Sequence, residues 1–168
     1  MTSAHLPFSY QQYTRDQVET IQSEIATEQS VSLTVNGEIW LAFQCTPTNL
    51  EDQAIGFLFN EGFIHSLEEV ANVHVCDRQD NVDVWLNHAA VKPLTWRRTS
   101  GCHGGNTATD AHNAAPSPIH YPGSFTTTQI FALTEQFMDE QTPHHQSGGV
   151  HTSALATDNQ IIYQVEDI

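Results

Sequence analysis

The 168-residue sequence predicts an α/β fold, a mixed sheet with packed helices, and three observations carry that expectation. Short paired runs alternate apolar with polar residues, the two-residue period of strands buried on one face. Two further runs space apolar residues three and four apart, the period of a helix lying on a surface. The strands come as hairpins, with no internal repeat and no recurring strand-helix-strand unit, so the sheet is expected to be mixed.

Taken in order, residues 1–28 are expected to form an N-terminal extension, and 29–168 a single α/β domain. The first predicted element is a hairpin: Val31, Leu33 and Val35 alternate, Asn36-Gly37 supplies the positive φ angles of a type I′ turn, and Ile39, Leu41 and Phe43 resume the alternation. After Pro47, Thr48 to Glu51 has capping-box spacing, and Leu50, Ala54, Phe57 and Leu58 share a helical face until Gly62. Val73 and Val75, then Val82, Val84 and Leu86, predict a second hairpin around the turn-rich Asp77 to Asn81, and Val91 to Trp96 a further strand. From Thr99 to Phe125 the composition turns to Gly, Ser, Thr, Asn, Ala, His and Pro without periodicity. A loop of that size is functional or disordered, and a mobile one is expected here. Thr127 to Met138 reads as a helix with Ile130, Leu133 and Phe137 on one face. Two last strands, Gly149 to Ala156 and Gln160 to Glu166, join through Thr157-Asp158-Asn159, with Ile161, Tyr163 and Val165 alternating.

Composition narrows the function. Twenty acidic against five basic side chains give a formal charge of −15, which argues against nucleic acid and anionic membranes, both held chiefly by Lys and Arg. No run approaches the roughly 18 apolar residues of a membrane span, and the first residues lack the basic and apolar regions of a signal peptide. Three cysteines are too few and too odd for a disulfide framework. A soluble cytoplasmic protein is expected.

Cys102 is the leading candidate for chemistry. It sits in Thr99-Ser100-Gly101-Cys102-His103-Gly104-Gly105, just after Lys92, Arg97 and Arg98, three of the five cationic side chains. A free thiol of pKa about 8.5 is only ~3 % thiolate at neutral pH, and neighbouring cations raise that fraction. The plain alternative is an incidental loop thiol beside an edge strand. Cys45 and Cys76 fall in strand contexts, where a small buried apolar side chain is expected. The ten histidines show no HExxH or paired CxxC spacing, so no metal ion of its own is expected. Ser147-Gly148-Gly149-Val150-His151-Thr152-Ser153 is the second motif. Backbone amides freed at a glycine turn bind anions, and a histidine there positions a ligand or moves protons near neutral pH, although a tight turn followed by a strand explains the same pattern.

Together these segments resemble the FdhD/NarQ family of formate dehydrogenase accessory sulfurtransferases. The resemblance rests on Cys45-Thr46-Pro47-Thr48-Asn49-Leu50-Glu51 running into Ala54 to Ile64, on Gly101-Cys102, on Ser147 to Leu155, and on Glu166-Asp167-Ile168. It implies a cytidine-deaminase-like fold and a sulfur carrier: a cysteine desulfurase passes sulfur to Cys102, which delivers it as a persulfide to the molybdenum or tungsten bis-guanine-dinucleotide cofactor of formate dehydrogenase. The non-catalytic alternative is a chaperone for that cofactor. On the same resemblance Gly148, Gly149, His151, Thr152 and Asp167 are the expected cofactor-binding residues. Gly105 stands where many members carry a second loop cysteine, which excludes pairing of Cys102 with a loop partner. The family pattern continues past Glu-Asp-Ile into a further lobe that this sequence lacks, so an apolar surface near Ile168, covered by a possible homodimer, is expected as well.

Overall fold

The computed structural model describes residues 4–98, 106–108, 123–139, 144 and 147–168, as two compact units, one of Glu28–Ser117 and one of Ala4–Thr27 with Pro118–Ile168. Among the described residues no helix is long and apolar enough to cross a membrane.

The first unit is built on a four-stranded sheet in the order β4-β3-β6-β5. Strands β3 (Gln29–Val35) and β4 (Glu38–Cys45) form the predicted hairpin, closed by Asn36 and Gly37 at φ 50° and 84°. The alternation on β4 differs from the prediction. Leu33 pairs with Leu41 and Thr34 with Ile39, so Trp40 is an inserted bulge residue. Trp40 and Leu41 therefore both turn inward, while Ile39 is left 60 % exposed. Strands β5 (Val70–Val75) and β6 (Asn81–Leu86) form the second hairpin, and β6 lies parallel to β3, making the sheet mixed.

Helix α1 (Leu50–Asn60) covers this sheet with Leu50, Ala54 and Leu58 buried. The expected capping box is absent. Asn49 is the N-cap at φ 49° with no side-chain cap bond, and the Thr48 N–H turns back to the Thr46 carbonyl at 2.7 Å. The helix stops at Gly62, φ 76°, in a Schellman turn: Phe63 N–H donates to Leu58 O at 2.8 Å and Gly62 N–H to Phe59 O at 3.1 Å. A box-like arrangement occurs instead at the 3₁₀ turn Leu67–Glu69. There Glu69 Oε1 accepts the His65 and Ser66 N–H groups at 2.7 and 3.0 Å, and Oε2 lies 2.9 Å from His88 Nε2. These backbone donors, His65 first, hold the Glu69 carboxyl below its usual pKa of 4.5, with His88 adding to the shift.

Val91 to Trp96 is not a strand. Val91 and Leu94 are exposed, and pairing begins only at β7 (Trp96–Arg98), antiparallel to β8 (Asn106–Ala108). Pro93 removes a ladder donor within that run, which accounts for the late start. The pairing also places a short strand inside the segment predicted as an unbroken loop. The rest of that segment, 99–105 and 109–122, lies outside the described residues, and with it the expected mobility. Trp96 packs against Phe57, which packs edge-on against Phe43, tying β7 to α1 and β4.

The second unit holds two ribbons and a helix. Residues 5–26 carry a hairpin of nine-residue strands, β1 (His5–Tyr13) and β2 (Val18–Ala26), so the first element precedes the one predicted. Its signal was present: Leu6, Phe8 and Tyr10 alternate, and the register sets Leu6 against Ile25 and Tyr10 against Ile21. Helix α2 (Thr127–Asp139) starts with a capping box, Thr126 N–H to Gln129 Oε1 at 2.9 Å and Gln129 N–H to Thr126 Oγ1 at 3.2 Å. Leu133 and Phe137 are half-buried, while Ile130 is exposed at an open groove of about 310 Å³ shared with Phe125, Ala154, Ala156 and Ile161. The last ribbon pairs β9 (His151–Ala156) with β10 (Ile161–Asp167). A bulge at Ile162 breaks the expected alternation, because Tyr163 then pairs with Leu155 and joins it on the exposed face.

Candidate functional site

The glycine motif sits where the chain enters β9. Gly148 has φ 65°, a conformation that favours glycine, and its N–H donates to His144 O at 2.7 Å. Gly149 N–H donates to Ser147 Oγ at 3.3 Å. The two amides are thus not free, as the sequence suggested; the longer Gly149 bond is the one an anion can replace. The φ of Gly149 is not positive, and among the described residues a Cβ there would meet only the Ser147 carbonyl oxygen, at 3.9 Å.

The β9–β10 register sets His151 opposite Asp167 and Thr152 opposite Glu166. Because strand side chains alternate, these two pairs lie on opposite faces. His151 and Asp167 share the face of Ser153, Leu155 and Tyr163, with the His151 side chain exposed. Thr152 lies on the other face, with Glu166, Ala154 and Gln164, and its hydroxyl is buried without a hydrogen-bond partner. The structure therefore sets His151 and Asp167 on one face at the end of the ribbon that Gly148 and Gly149 lead into, and Thr152 on the other face. An exposed imidazole, a carboxylate acceptor and an approachable backbone can together hold a polar, phosphate-bearing molecule.

Two contacts at this turn carry no sequence signal. Glu166 Oε2 accepts the His144 N–H at 2.7 Å, and His144 Nδ1 lies 2.9 Å from Val150 O. A carbonyl only accepts, so Nδ1 carries the proton. The Glu166 bond spans 22 residues, beyond any local pattern.

Cys102 lies outside the described residues. Of the three cations that closely precede it in sequence, Lys92 is engaged elsewhere: its Nζ donates to Ile39 O at 2.6 Å and stands 3.7 Å from Glu38 Oε1, at the β3–β4 hairpin. Cys45 is fully buried as expected. Cys76 is only half-buried, and its Sγ donates to Asp80 Oδ1 at 2.9 Å within the β5–β6 turn.

These features define a mixed α/β protein whose four-stranded sheet is accompanied by a ribbon ending in a glycine-histidine turn. The chain belongs to the FdhD/NarQ family, whose profile matches residues 26–168. It is 33 % identical over 161 residues to the sulfur carrier protein FdhD of Shouchella clausii (strain KSM-K16), covering 88 % of this chain and 58 % of that protein. It is 30 % identical over 155 residues to the sulfur carrier protein FdhD of Listeria innocua, with 88 % and 59 % covered. The chain thus spans under two thirds of the length of these relatives. In fold it is similar to the crystal structure of a protein described as a formate dehydrogenase accessory protein from Desulfotalea psychrophila, with a TM-score of 0.70 and 18 % identity over 98 % of this chain and 61 % of that one.

Proposed function

We propose that this protein acts in the cytoplasm as a sulfur carrier for formate dehydrogenase maturation, with Cys102 as the persulfide-bearing residue. The reading draws on the family and on the state of the other thiols: Cys45 is sealed in the core and the Cys76 thiol is engaged by Asp80. In the proposed step the Cys102 thiolate attacks the terminal sulfur of a cysteine desulfurase persulfide. The donor sulfur–sulfur bond breaks, a new one forms at Cys102, and the donor leaves as thiolate. Formate dehydrogenase is the proposed recipient, through its molybdenum or tungsten bis-guanine-dinucleotide cofactor as substrate. The exposed end of the β9–β10 ribbon is the proposed binding place: Gly148 and Gly149 allow close approach of the phosphates, His151 donates to them, and Asp167 accepts from hydroxyl or N–H groups. Thr152 supports that end from the opposite face. The finer fold assignment in this reading is cytidine-deaminase-like.

The test is intact-mass measurement after incubation with a cysteine desulfurase and cysteine. The wild type gains one sulfur, about 32 Da, removed by reductant, and Cys102→Ala gains none. Equal labelling of the variant overturns the assignment and favours the second reading, a cofactor chaperone working through the exposed glycine-histidine turn alone.

A further inference from the structure

We infer that Glu166 and His144 form a clasp that positions the glycine turn, a role that rests on the proposed binding function of that turn. His144 is held at three points. Its N–H donates to Glu166 Oε2 at 2.7 Å, its carbonyl accepts the Gly148 N–H at 2.7 Å, and its Nδ1–H donates to Val150 O at 2.9 Å. One residue thus grips the turn before Gly148 and after Gly149, and Glu166 fixes that residue to β10. Glu166 is also next to Asp167 in sequence, so the strand that supplies Asp167 to the site sets the turn as well.

The clasp has an electrostatic cost that needs a purpose. Glu166 Oε1 and its cross-strand partner's hydroxyl, Thr152 Oγ1, are both buried without a hydrogen-bond partner. A carboxylate so placed repels an anion arriving at Gly149, whereas an uncharged side chain would not. The carboxylate is therefore kept for its bond to His144, and a glutamine side-chain oxygen can accept the same bond without the charge. The two effects have opposite signs. Removing negative charge alone strengthens anion binding; losing the clasp weakens it.

The experiment uses the whole chain, with guanosine diphosphate as probe and amide NMR as readout. In Glu166→Ala, hydrogen exchange at the His144 amide speeds up by about tenfold or more, and the Gly148 and Gly149 signals move, while Ala154 and Gln164 in the ladder keep theirs. Affinity for guanosine diphosphate falls by about tenfold, and Glu166→Gln binds at least as tightly as wild type. Unchanged exchange and unmoved glycine signals in Glu166→Ala overturn the clasp. A moved turn with wild-type affinity overturns its positioning role, and tighter binding in both variants shows that only charge mattered. If the wild type itself fails to bind the probe, the binding reading of the turn falls, and the exchange data still decide whether the clasp exists.

Discussion

The two units of this chain are stabilised to different degrees, and the proposed binding turn lies in the less deeply buried one. In the Glu28–Ser117 unit a continuous core runs from Val31, Leu33 and Val35 through Trp40, Leu58 and Ile64 to Val82 and Val84. In the other unit Val150 is the one large apolar side chain buried among the described residues, and Leu6, Phe8, Ile130 and Leu155 are each near or above half exposure. At about 25 cal/mol per Å² of apolar surface removed from water, the first unit gains far more from burial. Its opening free energy is correspondingly higher, and the glycine turn belongs to the unit that opens more readily.

The largest expected effect is on hydrogen exchange. Amides of β3 and β6 exchange at least about 100-fold more slowly than those of β1 and β9. Equal protection in both units, measured by exchange mass spectrometry, breaks the comparison. Next come core truncations: Leu58→Ala, at a fully buried site, costs about 2–5 kcal/mol, whereas Phe137→Ala, at the open groove, costs less, about 1 kcal/mol, by denaturant unfolding. Smaller still is a glycine contrast. Gly62→Ala and Gly148→Ala, at φ 76° and 65°, each cost about 1 kcal/mol from backbone strain alone, since no described residue crowds an added methyl at either position. Gly149→Ala leaves stability within about 0.5 kcal/mol and impairs ligand binding instead.

The last comparison is one of pH. Because the Glu69 carboxyl is depressed in the folded chain, the unfolded chain binds the proton more readily, and stability falls as the solution is acidified. The contribution is complete above the usual value of 4.5 and is lost as pH drops through the lower folded value. Melting temperatures of wild type and Glu69→Gln therefore differ near neutral pH and converge as the solution is acidified through the lowered folded value.

The hairpin at Asn36-Gly37, the apolar face of α1, and the pairing of the last two strands were legible because each rests on spacing within a few residues. What escaped was set by partners distant in sequence or by single inserted residues. The bulges at Trp40 and Ile162 add one residue to an alternating run, and a strict two-residue period then assigns the following side chains to the wrong face. The first hairpin lacks an Asn-Gly turn, closing instead through Thr14 and Gln17, so its alternation went unnoticed. Of the residues expected to bind the cofactor, the register sets His151 and Asp167 on one face of the ribbon and Thr152 on the other, a division that a linear motif does not specify. The Glu166 bond to His144 escaped for want of any local pattern joining the two.

The parallel contact of β3 with β6 carries a kinetic consequence. Ser32 meets Asn81 and Val35 meets Val84, so the central seam of the sheet joins residues about fifty positions apart. Closing so long a loop is entropically unfavourable before any contact rewards it, which slows folding of sheets with distant pairings. On the ribosome, the β3–β4 hairpin and α1 emerge before β6, so Leu33 and Val35 lack their parallel neighbour until that strand arrives, and the seam is the last part of the sheet to close.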